Sequence, residues 1–289
     1  MTYKILHTTT YRYEHPVSFG NHAACLTPRS SPLHRCVSHE LEITPAPATR
    51  SERTDFFGNG ISFFTIEEPH EELRIEAHSV VTIDGAAPWP GNSLPWGEAA
   101  ASISIDRSPA ALDAYQFVFE SPRIRPSETF AEYAAPSFRP GRPLAEALLD
   151  LTARIHKTFQ FDAKATNVGT SPEEALRRGG GVCQDFAQLQ IACLRSLRLP
   201  ARYVSGYLRT NPPPGQPRLA GADASHAWVS AYCPGFGWLD VDPTNNVAPS
   251  DSHVTLAWGR DYSDVSPVRG VILGGKDHAV RVAVDVEPV

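Results

Sequence analysis

Leu73, Ile75, Ala77, Ser79, Val81 and Ile83 alternate with Arg74, Glu76, His78 and Thr82, the period-2 pattern of a half-buried strand. Leu41 and Ile43 fit another strand before the Pro45/Pro47 punctuation, and Asn59-Gly60 within Asp55–Ile61 gives a hairpin signal. Short strands at this spacing predict an antiparallel sandwich over roughly the first 85 residues. Between 85 and 141 the chain is proline-rich, with one helix expected near Ser108–Phe119. The period then changes. Leu144, Ala147, Leu148, Leu151, Ile155 and Phe159 repeat at helical spacing behind Pro143, a first-turn proline. Ser171-Pro172-Glu173-Glu174 is a second helix start. A third helix is expected from Cys183 to about Leu197, after Gly179-Gly180-Gly181. Strands follow at Ala201–Leu208, Ser225–Cys233 and Trp238–Thr244, the last two joined through Pro234-Gly235-Phe236-Gly237 as a hairpin. Val280, Val282, Val284 and Val286 alternate in a final strand. The second half is therefore α+β, helices first and an antiparallel sheet after them.

The chain has 289 residues, 42% apolar and 20% charged, with a formal charge of −6. That length carries a soft expectation of about two domains. A mildly acidic chain without a Lys/Arg run argues against nucleic acid and anionic membrane surfaces as partners. No stretch reaches the ~18 apolar residues of a spanning helix, and no export signal opens the sequence, so a cytoplasmic location is expected. The five cysteines, at 25, 36, 183, 193 and 233, form no CxxC pair, and a disulfide framework is not expected. Zinc spacing is missing too: His70-Glu71-Glu72-Leu73-Arg74 has arginine where a zincin needs its second histidine. We expect neither a metal nor a cofactor.

Chemistry concentrates in the second half. Cys183 opens a helix after three glycines and Val182, where helix N–H groups and the macrodipole favour the negative charge of a thiolate. His226 lies on the first strand of the predicted hairpin, and Asp240 and Asp242 lie on the returning strand. A histidine beside an acid is the base-plus-orienter half of a nucleophilic triad. Asp240 and Asp242 point the same way along a strand, and the pattern alone leaves both open.

Four blocks in order resemble the bacterial transglutaminase-like cysteine enzymes: Gly181-Val182-Cys183-Gln184-Asp185-Phe186-Ala187, Leu199-Pro200-Ala201-Arg202-Tyr203-Val204-Ser205-Gly206-Tyr207, Ala222-Asp223-Ala224-Ser225-His226-Ala227-Trp228, and Gly237-Trp238-Leu239-Asp240-Val241-Asp242-Pro243-Thr244-Asn245. Tyr3–Tyr13, Leu26-Thr27-Pro28-Arg29 and Asp55-Phe56-Phe57-Gly58-Asn59 resemble the β-rich N-terminal region of that family, as Gly259–Val265 resembles its C-terminal part. The resemblance implies a papain-like, transglutaminase-like core with an antiparallel sheet, preceded by a β-sandwich-like domain. The expected boundaries are 1–100 for the N-terminal domain, 101–140 for a connecting region, and 141–289 for the core with its C-terminal strands.

By the same resemblance Cys183 is the nucleophile, His226 the general acid/base, and Asp242, directly before Pro-Thr, the orienting acid. Two positions depart from the family pattern: Gln188 stands where histidine is frequent, and Arg198 where glycine precedes Leu-Pro. The implied reaction forms a thioester on Cys183 from an amide. The acyl group then passes to water, as in a protease, isopeptidase or amidase, or to an amine, as in a transglutaminase. A peptide or protein with an amide or glutamine side chain is the expected substrate. Gln184, Asp223 and Trp228 are candidate substrate contacts, and Asp185 reads as a first-turn helix carboxylate. A different class remains open: a non-catalytic scaffold that binds peptides or proteins. No GxSxG elbow supports a serine hydrolase, and no EF-hand loop supports a calcium requirement.

Overall fold

The computed structural model describes residues 1–85, 88–210 and 224–289. The N-terminal part contains β1 (Thr2–Ala24), β2 (His34–Thr44), β3 (Thr49–Thr54), β4 (Gly60–Ile66) and β5 (His70–Ile83). Helices α1 (Trp96–Ile105), α2 (Pro109–Tyr115), α3 (Glu128–Ala134) and α4 (Leu144–Thr158) follow. Next come β6 (Gln160–Phe161), α5 (Pro172–Arg178), β7 (Gly180–Gly181) and α6 (Cys183–Ser196). The chain then forms β8 (Ala201–Leu208), β9 (Ala224–Cys233), β10 (Gly237–Val241), β11 (His253–Gly259), α7 (Tyr262–Val265), β12 (Val268–Gly274) and β13 (His278–Pro288).

The first strands belong to one seven-stranded sheet in the order β2-β5-β1-β4-β3, with β12 and β13 also paired to β1. Thr2–Arg12 of β1 pairs with β5, and Gly20–Ala24 pairs with β4. A register shift between Arg12 and Val17 separates the two stretches. A bend there lets one hydrogen-bonded sheet enclose its own apolar cluster, with Tyr13 and Val17 beside Leu41, Phe64, Ile66, Leu73 and Ile75. The two C-terminal strands close this sheet rather than the one that carries His226, Tyr3↔Pro288 through Tyr13↔His278 for β13. The alternating valines of the tail identify a strand, but its partner lies at the other end of the chain.

The second sheet, β10-β9-β8-β11, is antiparallel throughout. Ala227, Val229, Ala231, Leu239 and Val241 enter the large apolar cluster shared with α4 and α6. Alternation sends His226, Trp228 and Asp240 to the other face. The apolar stripe of α4 is buried as its spacing predicts, and Ser171 caps α5 by accepting the Glu174 N–H. In the connecting region the expected helix is α2 plus a 3-10 turn, while α1 and α3 lie in proline-rich stretches without a clear helical period.

Polar ties fix the two sheets together. The Asn59 side chain accepts from Trp258 N (3.1 Å) and Arg29 Nη1 (2.7 Å) and donates to Trp258 O (2.9 Å). Asn59 is fully buried, so these bonds satisfy groups that would be costly to leave unpaired. Tyr207 Oη lies 3.0 Å from His7 Nδ1, a second buried link between the sheets.

Candidate active site

Cys183 is the first residue of α6, and three local devices hold it there. Gly179 ends α5 in the left-handed region (φ 70°), with its N–H on Ala175 and Leu176 carbonyls. A Cβ on Gly180 would stand 2.6 Å from the Gln160 carbonyl oxygen, and one on Gly181 would overlap the Asp185 carboxylate. Asp185 Oδ2 accepts the Val182 N–H (2.8 Å) and the Thr166 hydroxyl (2.6 Å), satisfying a donor that the helix start leaves free. Burial pushes the Asp185 carboxyl above its ordinary value, against the downward pull of those two bonds. The Gly-rich turn and Asp185 thus have packing and capping roles that fix the position of Cys183.

The strand side brings His226 to Asp242. His226 Nε2 is 2.7 Å from Asp242 Oδ2, and Cys183 is near enough to the ring to add to its electrostatics. With Nε2 committed to the acid, Nδ1 is the nitrogen left for the thiol. Burial works to lower the His226 pKa, but hydrogen bonds and charge from Asp242 and Cys183 prevail and raise it to about 10. Asp242 is completely buried. Its Oδ1 accepts the backbone N–H groups of Thr244 (2.9 Å) and Asn245 (3.2 Å), and its Oδ2 also takes Asn245 Nδ2 at 2.7 Å. Burial alone would raise its pKa; the bonds from His226, His253 and Asn245 hold it well below the usual carboxylate range.

The two strand acids separate by partner. Asp240 Oδ2 accepts Trp228 Nε1–H (3.1 Å), while Asp242 takes His226. Both face the same way, and the acids reach the neighbouring strand diagonally: Asp240 stands opposite Ser230 but takes the Trp228 indole two residues along. Trp228 is fully buried and held by that bond. Gln184, next to the nucleophile, is mostly buried with its Nε2 3.3 Å from the Val168 carbonyl. Asp223 lies outside the described residues.

His253, on β11, escaped the sequence reading. Its Nε2 is 3.2 Å from Asp242 Oδ2, and its ring packs edge-on against Trp228. It sits in a stretch buried on both faces (Val254, Leu256 and Ala257 enter the core), where no alternation marks a strand. His226, Asp242 and His253 offer metal-type donor atoms within 4.8 Å of one another. Both Nε2 atoms, however, converge on the same carboxylate oxygen at hydrogen-bonding distances, a pattern that fits one charged acceptor between two imidazoles. The donors are already committed to one another.

The remaining thiols differ from Cys183 in their surroundings. Burial pushes Cys25 up to about 12 and Cys233 up to about 11, raises Cys36, and holds Cys193 higher still. Arg198 shows what the departure from glycine means: it has φ 61° directly after α6. Its N–H bonds to the Arg195 carbonyl and the Leu199 N–H bonds to the Leu194 carbonyl, a Schellman closure whose left-handed position favours glycine. Gln188 is buried, and among the described residues neither end of its amide has a partner.

Residues 3–82 match the bacterial transglutaminase-like N-terminal region, and residues 131–243 match the transglutaminase-like superfamily core. An uncharacterized protein of Mycobacterium bovis is 43% identical over 295 residues, covering 99% of this chain and 92% of its own length. A protein-glutamine gamma-glutamyltransferase of Pseudomonas aeruginosa is 35% identical over 97 residues, 32% of this chain and 14% of that protein. A crystal structure of a proposed cysteine protease from Cytophaga hutchinsonii superposes with a TM-score of 0.78 at 21% identity, covering 99% of this chain and 90% of that one. That likeness extends the fold over both sheets. The matched regions make the chain a member of the bacterial transglutaminase-like family, with its N-terminal β region and its transglutaminase-like core.

Proposed function

We propose that the protein is a cysteine enzyme that cleaves amide bonds through a thioester on Cys183. The observation that carries this reading is the buried Asp242–His226 pair, with the free side of the imidazole turned to a cysteine at a helix start. His226 takes the thiol proton and becomes the imidazolium that Asp242 stabilises. Cys183 Sγ attacks the carbonyl carbon of a glutamine side chain or an isopeptide bond, and the oxyanion meets the N–H groups of the helix start. The C–N bond breaks as His226 returns the proton to the departing nitrogen. Ammonia or an amine leaves, and the acyl group stays on sulfur. In the second half His226 deprotonates water, which attacks the thioester and restores the thiol. An amine entering in place of water gives cross-linking, and the short likeness to a protein-glutamine gamma-glutamyltransferase supports that second fate.

The test is intact mass after brief iodoacetamide treatment at about pH 6, where an ordinary thiol is mostly protonated. Rapid single labelling of the wild type, lost in Cys183→Ala and strongly slowed in His226→Ala, is the expected result. Labelling no faster than a free thiol, or unchanged by the histidine substitution, overturns the triad and leaves the peptide-binding scaffold as the better reading.

A further inference from the structure

A cavity of about 530 Å³ lies between the N-terminal sheet and the catalytic sheet, within the roughly 300–1,000 Å³ range of small-molecule sites. Four of the chain's five tryptophans, Trp89, Trp228, Trp238 and Trp258, line it. Cys183, His226 and Asp242 do not line it; His253 stands in its wall, with Nε2 on Asp242 behind.

Two arginines form a stack with these indoles. Arg29 Cζ lies 3.5 Å from the Trp258 ring centre, and Arg202 Cζ lies 3.7 Å from Trp258 and 4.1 Å from Trp238. The two cations are not equivalent. Arg29 Nη1 donates to the Phe57 carbonyl (2.9 Å) and to Asn59 Oδ1 (2.7 Å), so it serves the joint between the sheets. Arg202 is more than nine-tenths buried, its Nε has no partner, and among the described residues nothing hydrogen-bonds or ion-pairs with its guanidinium. Burial lowers its pKa to about 9; Asp240 and Asp113 pull upward without forming an ion pair, and Arg29 pushes downward. Asp240 Oδ2 is already engaged by Trp228. A buried cation without a direct ion-pair partner is costly, and fold stability alone does not call for one.

With indoles over both of its faces, the Arg202 guanidinium has only its edge to offer. That edge is a planar fork of N–H donors, which matches the two oxygens of a carboxylate. The rest of the wall combines Trp89 and Trp228 with the carboxylates of Asp113 and Asp240, and its indoles suit a ring or flat apolar body. We propose that this cavity binds a small carboxylate attached to an apolar ring, with the carboxylate on the edge of Arg202 and the ring against the tryptophans. The site is separate from the thioester centre, and the proposal stands independently of the chemistry at Cys183.

The lining makes intrinsic tryptophan fluorescence a direct readout. The probes are 3-phenylpropionate, its neutral amide, and inorganic phosphate, titrated against wild type, Arg202→Met and Cys183→Ala. Expected is a saturable change with 3-phenylpropionate, at least about tenfold weaker binding of the amide, loss of binding in Arg202→Met, and unchanged binding in Cys183→Ala. The acid–amide comparison on the wild type needs no variant, so it holds even where Arg202→Met fails to fold. No saturable change, or equal binding of acid and amide, overturns the proposal. Phosphate binding as tightly as 3-phenylpropionate removes the ring from it. Loss of binding in Cys183→Ala places the probe at the thioester centre and also overturns it.

Discussion

Replacing Asp242 with asparagine tests the central arrangement most directly. The wild-type carboxylate accepts from His226, His253, the Asn245 amide and two backbone N–H groups, in a fully buried position. Asparagine keeps one acceptor oxygen and turns an NH₂ toward donors, whichever way it flips. Breaking a buried charged pair from one side costs about 3–5 kcal/mol. The His226 shift gives a comparable figure. The rise from 6.5 to about 10 corresponds to about 5 kcal/mol, at 1.36 kcal/mol per pH step, an upper bound for Asp242 because Cys183 contributes to the same rise. The pH dependence has a definite sign on each side. A histidine raised above its unfolded value contributes stability in full below 6.5, and that contribution is lost as pH rises toward 10. A carboxylate depressed below 3.8 contributes stability above that value and loses it as pH falls. The stability difference between wild type and Asp242→Asn is therefore expected to form a plateau between about pH 4 and pH 6.5 and to decline on both sides. Urea unfolding followed by tryptophan fluorescence across that range measures it. A difference that stays flat from acid to alkaline pH, or a plateau below about 1 kcal/mol, refutes the buried charged pair.

Two further substitutions test how the nucleophile's helix is held. Gly181→Ala forces a methyl group into the Asp185 carboxylate. It is expected to destabilise the protein by about 1–3 kcal/mol and to slow Cys183 alkylation, because it disturbs the contact that fixes the start of α6; normal stability and labelling would show that the contact has slack. At the other end of α6, Arg198→Gly relieves a left-handed, exposed residue and is expected to stabilise by about 1 kcal/mol, read as a higher urea midpoint with unchanged labelling of Cys183. A lower midpoint would mean that the arginine side chain contributes more than its backbone costs.

Much of this protein was legible from local pattern. The α4 stripe, the Ser171 cap, β8 and the β9–β10 hairpin depend on neighbours a few residues apart, so period and turn chemistry reveal them. Cys183 and His226 were readable as a helix-start thiol and a strand histidine. The choice of Asp242 over Asp240 rested on family resemblance, and the structure supplies its physical side: Asp240 is taken by the Trp228 indole.

What the sequence could not decide depends on contacts between distant segments. β11 and His253 were missed because a strand buried on both faces shows no alternation. The closure of the N-terminal sheet by β12 and β13 joins residues more than 200 positions apart, and no periodicity encodes a partner. The glycines before Cys183 carry no sign of their partners in the sequence; in the fold Gly180 and Gly181 make room for Gln160 and Asp185. Sequence by itself determined most element types and singled out the helix-start Cys183 and the strand His226, because these follow from side-chain chemistry and local spacing. Only the tertiary structure decided which carboxylate receives two imidazoles and which arginine is left buried beside two indoles without an ion-pair partner, because burial and hydrogen-bond competition exist only once the sheets have packed.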